Sequence, residues 1–251
     1  MRIDKQMMQT SQGNLQYHCS GSGSPAIVLI NGGSGPIEGW MRVLPELTQL
    51  STVMGYNRLG VGASDKPSLP QDGMAIVNML HEMLGRLDLK PPYLLVGHSL
   101  GGLYANLYAR LFPDEIAGVV FLEASTPKDI TLDRHQGSFV KLLNKLLTAT
   151  DTFFPHKQYD EVRFVKQTIA QIEASGRFPN VPVFVLTGGK ENKMIPPEVR
   201  QERLSHQLEL LALSTDSTHI AAEQSGHFPQ LTEPKLVIDT IRACLERVRS
   251  V

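Results

Sequence analysis

Cysteine is scarce in this chain of 251 residues: Cys19 and Cys244, near opposite ends, are the only two. Two thiols so placed read as reduced, which excludes a disulfide-stapled scaffold and points to a cytoplasmic protein. No Cys or His pair has ligand spacing, so no metal site is expected. An excess of charge of one sign is missing too. The 24 Lys+Arg and 25 Asp+Glu leave a net charge of -1, with no basic run. That balance argues against a nucleic-acid partner. No apolar run approaches the ~20 residues of a membrane span. The first residues, Met1-Arg2-Ile3-Asp4-Lys5-Gln6, lack the apolar core of a signal peptide. Internal repeats and low-complexity tracts are also absent. What remains is a 41% apolar, 20% charged composition, that of a soluble globular protein with a sizeable core.

Apolar patterning alternates between two periods. Asn14 to Cys19 alternates in polarity and reads as an edge strand. Ala26 to Ile30, Thr52 to Tyr56, Tyr93 to Val96, Gly118 to Leu122 and Val183 to Leu186 are short apolar runs. Such runs suit strands covered on both faces. Helical spacing appears at about 38–50, 74–88, 102–111, 197–213 and 234–249, with a further strand at about 218–223. Strands alternating with helices imply a parallel sheet with helices on both faces.

One stretch breaks the alternation. Residues 126–180 contain no strand pattern, while Phe139, Leu142, Leu143, Leu146 and Leu147 recur at helical spacing, as do Val162, Val165, Ile169 and Ile172. The expected organisation is a core of residues 1–125 and 181–251, with 126–180 as a helical cap. An insertion leaving the carboxyl ends of strands lies where open α/β sheets bind ligands.

Gly97-His98-Ser99-Leu100-Gly101 follows an apolar strand and opens a helical pattern. That is the context in which G-x-S-x-G presents a nucleophilic serine on a strained turn. A serine hydroxyl needs an adjacent base, and the base an orienting anion. Of eight histidines, His227 alone lies in a loop between the last strand and the last helix, at the carboxyl edge of the sheet. His98 reads as pointing away inside the turn, and His81 and His206 as solvated helix residues. His135 and His156 fall in the cap, His219 in a strand and His18 in the edge strand.

Two glutamates compete as the anion. Glu123 directly follows the Gly118 to Leu122 run, and a carboxylate there is costly without a partner. Glu191 lies just past the next strand, among Lys190, Asn192 and Lys193, as in a solvated loop. Asp216 precedes the last strand and belongs to the other end of the sheet. Backbone N–H groups of Leu100 and Gly33, with Ser34 next, are the expected oxyanion donors. Neither G-x-G-x-x-G nor a P-loop is present, which sets nucleotide binding aside.

In this order the motifs resemble the α/β-hydrolase superfamily: the elbow 97–102, the segment Tyr56-Asn57-Arg58-Leu59-Gly60-Val61-Gly62-Ala63-Ser64, and Ser225-Gly226-His227-Phe228. The resemblance implies an eight-stranded, mostly parallel sheet, a lid between strands six and seven, and no cofactor. Asn31-Gly32 stands where His-Gly is usual, and Asn57 where aspartate is usual. Glu191 stands at the usual place of the acid, whereas Glu123 fits members that carry it after strand six. The expected activity is hydrolysis of small to medium carboxylic esters by Ser99, His227 and Glu123, with Glu191 as alternative acid. A peptidase or C–C bond hydrolase with the same triad is an alternative. So is a slow-turnover ligand receptor. The expected partner is a small-molecule ester, and the expected state a monomer or homodimer.

Overall fold

The computed structural model describes residues 3–129, 160–191 and 195–250. Eight strands form one sheet: β1 Gln6–Thr10, β2 Gly13–Ser20, β3 Ala26–Ile30, β4 Val53–Asn57, β5 Tyr93–His98, β6 Ile116–Leu122, β7 Val183–Gly188 and β8 Ser217–Ala222. Their spatial order is β1-β2-β4-β3-β5-β6-β7-β8. The β1–β2 and β2–β4 pairs are antiparallel. The other five pairs are parallel.

The central strands are apolar throughout because each side chain meets a helix layer, whichever way it points. Val28, Ile30, Leu95, Val119 and Phe121 enter one apolar cluster, together with side chains of α2 (Gly73–Arg86) and α3 (Gly101–Leu111). Their alternates Ile27, Leu29, Leu94, Val96, Val120 and Leu122 enter a second cluster. There they meet α1 (Leu44–Leu50) and the terminal helix Pro234–Arg249. A period-two strand between two period-3.6 helix faces thus builds both halves of the core.

Two sequence expectations change here. The segment read as an edge strand is the second strand, and Gln6–Thr10 takes the edge. That strand is largely polar and mostly exposed, so no alternation marks it. The expected helix at 38–50 is a short 3-10 turn, Ile37–Trp40, followed by α1.

Of the 126–180 insertion, the stretch 130–159, including Phe139 to Leu147, His135 and His156, lies outside the described residues. A 3-10 turn at Glu161–Phe164 leads into helix α4 (Val165–Ala174). Val165, Ile169 and Ile172 of α4 join the first core cluster, so this part of the insertion supports the core. Downstream lie α5 (Pro197–Leu208), α6 (Pro229–Thr232) and α7, the terminal helix just given. The parallel strands all end on one edge of the sheet, and the loops leaving that edge carry the site.

Candidate active site

Strand β5 ends at His98, and Ser99 turns the chain with φ 51° before α3 begins. That left-handed conformation is strained for a non-glycine residue. Neighbouring β6 holds it: the Ser99 N–H donates to the Leu122 carbonyl at 3.1 Å, and the Ser99 carbonyl accepts from Ser125 N–H at 2.9 Å. Strand and helix pass so closely that a Cβ on Gly101 would run into the Ile30 carbonyl. Nothing larger than glycine fits there.

His227 Nε2 lies 2.9 Å from Ser99 Oγ. Its Nδ1 lies 3.4 Å from Glu123 Oε2. With the Nδ1–H donated to that carboxylate, the Nε2 lone pair is left to accept the serine proton. Glu123 also has positive φ, 45°, at the end of β6. Its N–H donates to the Leu186 carbonyl at 2.8 Å, and its Oε1 accepts from Gly188 N–H at 2.6 Å. Arg203 of α5 donates to the Glu123 carbonyl at 3.0 Å and to Oε2 at 3.2 Å. Burial alone would raise the Glu123 pKa. The Arg203 charge and the bonds from His227 and Gly188 outweigh it and hold the group at about 2. His227 is lowered from the ordinary histidine value by burial and by the Arg203 charge, while Glu123 opposes both.

The structure brings Ser99, His227 and Glu123 together and leaves Glu191 apart. The Glu191 side chain is 75% exposed and lies 3.7 Å from Arg200. Asp216 pairs with Arg247, before β8 and away from this edge.

His98 differs from expectation. Its ring lines the site, and its Nε2–H donates to the His227 carbonyl at 2.7 Å. Burial, then the neighbouring His227, push its pKa down to about 3, so it stays neutral. His206 is likewise not solvated: it is buried beside Asp129, Nδ1 to Oδ1 3.0 Å.

Across from the serine runs the loop Asn31-Gly32-Gly33-Ser34-Gly35. Among the described residues, no protein acceptor takes the N–H of Gly33 or of Leu100. The Ser34 N–H is occupied, donating to Glu161 Oε1 at 2.6 Å, and Ser34 too has positive φ, 52°. Behind the loop sits Arg58, 4% exposed. It donates to the Asn31 carbonyl at 2.9 Å, to the Gly32 carbonyl, and to Glu161 at 2.5 Å and 2.8 Å. Tyr104 O–H adds a 3.2 Å bond to Glu161. Burial opposes the Arg58 charge, but Glu161 more than restores it and raises its pKa.

Arg58, Glu161 and Arg203 escape the sequence reading. Arg58 carries a usable signal, being a charge directly after a buried strand, as Glu123 is. The other two sit in polar-rich segments that offer none.

A cavity of about 260 Å³ opens on Ser99 and His227. The turn Ile37–Trp40 forms one side and α6 the other, with Trp40, Phe228 and Leu231 in its walls. Trp40 both lines the cavity and anchors its turn through Nε1–H to Asn31 Oδ1. Among the described residues, no group of three His, Cys, Asp or Glu is placed to hold a metal. No described helix is long and apolar enough to cross a membrane.

The α/β-hydrolase fold family matches residues 25–164, and the chain belongs to that family. The uncharacterized protein YqjL of Bacillus subtilis (strain 168) is 26% identical over 231 residues, covering 88% of this chain and 83% of YqjL. A Mycobacterium tuberculosis protein, Rv2715, is 35% identical over 117 residues, 46% of this chain and 34% of its own length. Among solved structures, the enol-lactonase of Burkholderia xenovorans LB400 superposes with TM-score 0.69 at 18% identity, covering 96% of this chain and 100% of that one. A thermophilic esterase from Thermogutta terrifontis gives 0.66 at 19% identity, covering 98% and 99%. At such identities the structural likeness speaks for the fold.

Proposed function

We propose that this α/β-hydrolase is a serine hydrolase that cleaves carboxylic esters of small to medium size through an acyl-enzyme. The 2.9 Å contact between His227 Nε2 and the hydroxyl of Ser99, whose backbone holds a positive φ, carries the reading. Ser99 Oγ attacks the ester carbonyl while His227 takes its proton. Glu123 accepts from the Nδ1–H, fixes the tautomer and stabilises the imidazolium. The N–H groups of Gly33 and Leu100 stabilise the oxyanion, each typically worth about 3 kcal/mol in the transition state. His227 then protonates the departing alkoxide. Water, activated by the same imidazole, releases the acid and restores Ser99.

The largely apolar cavity beside Ser99 supports an acyl or alcohol group of modest length. At ~30 Å³ for each water-sized group, its volume of about 260 Å³ corresponds to about nine of them. The insertion between β6 and β7 is proposed to cap this cleft.

Turnover of p-nitrophenyl esters tests the proposal. Ser99→Ala is expected to abolish it and to block labelling by a fluorophosphonate, with thermal stability almost unchanged. Turnover retained in that variant would overturn the proposal.

A further inference from the structure

The backbone that carries His227 has little to hold it. On one side Ser225 is tied down: its N–H donates to the Ala222 carbonyl at 3.0 Å, and its carbonyl accepts from Lys190 N–H at 2.9 Å. On the other side the Phe228 carbonyl accepts from the N–H groups of Leu231 and Thr232 as α6 begins. Between them Gly226 has open space where a Cβ would stand, and glycine leaves the chain its widest freedom. Among the described residues, a single hydrogen bond reaches the backbone of Gly226 and His227. It is the 2.7 Å bond from His98 Nε2 to the His227 carbonyl. The hold on the side chain is loose as well. His227 Nδ1 lies 3.4 Å from Glu123 Oε2, longer than the roughly 3 Å of an ordinary N–H···O bond.

His98 is suited to this bond. It directly precedes the nucleophile, so His98-Ser99 grips His227 twice: at the carbonyl through His98, and at Nε2 through Ser99 Oγ. The His98 ring is buried against the rings of Trp40, Phe228 and His227, at centroid distances of 6.3 Å, 5.3 Å and 5.0 Å. A carbonyl only accepts, so Nε2 carries the proton and the tautomer is set.

We infer that His98 is a positioning residue: its Nε2–H fixes the backbone of His227 and thereby sets the reach of that imidazole to Ser99 Oγ. Nucleophile and base are then referenced to one strand end, that of β5, rather than to two independent loops. Releasing the carbonyl frees His227 to swing about Gly226. A ring that leaves hydrogen-bond reach of the serine no longer takes its proton. The inference rests on the serine-hydrolase reading for the reaction it serves, while the bond itself stands on the geometry of the two histidines.

The test separates the ring from its N–H. His98→Phe keeps an aromatic ring in the packing and removes the donor. His98→Gln returns an amide N–H close to the place of Nε2. Each is compared with the wild type in p-nitrophenyl butyrate turnover, in the rate of fluorophosphonate labelling, and in Tm. His98→Phe is expected to lower kcat about tenfold, with KM within about twofold and the labelling rate falling in step. His98→Gln is expected to recover most of that loss. His98→Leu is the second donor-free variant should the first not fold. A folded donor-free variant with wild-type kcat and labelling rate overturns the inference. So does a loss confined to KM, or one that His98→Gln leaves in place, since ring packing alone would then account for His98. A labelling rate that falls without the donor and returns with glutamine, in a protein that turns over no ester, keeps the positioning role and removes the esterase reading. A wild-type protein inert to both probes overturns both.

Discussion

Arg58 and Glu161, 103 residues apart in the chain, form a buried ion pair that grips the loop facing Ser99. The arginine holds the carbonyls of Asn31 and Gly32, and the glutamate holds the N–H of Ser34. Between these fixed points Gly33 keeps an N–H without a protein acceptor.

Removing one partner strands the other charge in the interior. Glu161→Gln is expected to destabilise the fold by about 3–5 kcal/mol in urea denaturation. The same substitution is expected to lower kcat for p-nitrophenyl esters, because the loop loses its support. A double replacement, Arg58→Met with Glu161→Met, is expected to cost less than the two single changes added together. Strict additivity would mean the two side chains act independently.

The two glutamates once rivals for the acid separate by experiment. Glu123→Gln is expected to lower kcat by orders of magnitude. It removes the anion that fixes the His227 tautomer and stabilises its charged form. Glu191→Gln changes only an exposed side chain and is expected to leave the rate within about twofold. The reverse result would move the acid to the loop after β7.

Rate against pH probes the same cluster. Glu123, Arg203 and the neutral His98 surround His227, and burial with the Arg203 charge lowers it. The acid limb of kcat/KM is therefore expected below the ordinary histidine value of about 6.5. Arg203→Gln withdraws a positive charge and leaves Glu123 to act on His227 unshared. Both changes favour the protonated imidazole, so the limb is expected to move to higher pH. A limb that stays in place would show that Arg203 has only a packing role.

Much of this arrangement was legible because parallel strands bring distant residues to one edge. Ser99, Glu123 and His227 each follow a strand closely, so chain position alone locates them on that edge. Gln6–Thr10 was not legible because an exposed edge strand needs no apolar face. Arg203 and Glu161 were not legible because a charge within a helix or an insertion resembles any solvated charge until packing buries it. Helix α4 looked like cap for a related reason: its apolar stripe is the same whether it covers a cleft or a core.

Ser34, Ser99 and Glu123 all hold positive φ in loops at the ends of parallel strands. Glycine would relax each of these corners, so a search for heat-resistant variants would be drawn to them. At Ser99 and Glu123 the relaxed chain would lose the side chain that the corner exists to present. Thermal robustness and reactivity are thus set against each other at the same backbone positions, and improvement of the first has to come from elsewhere in the molecule.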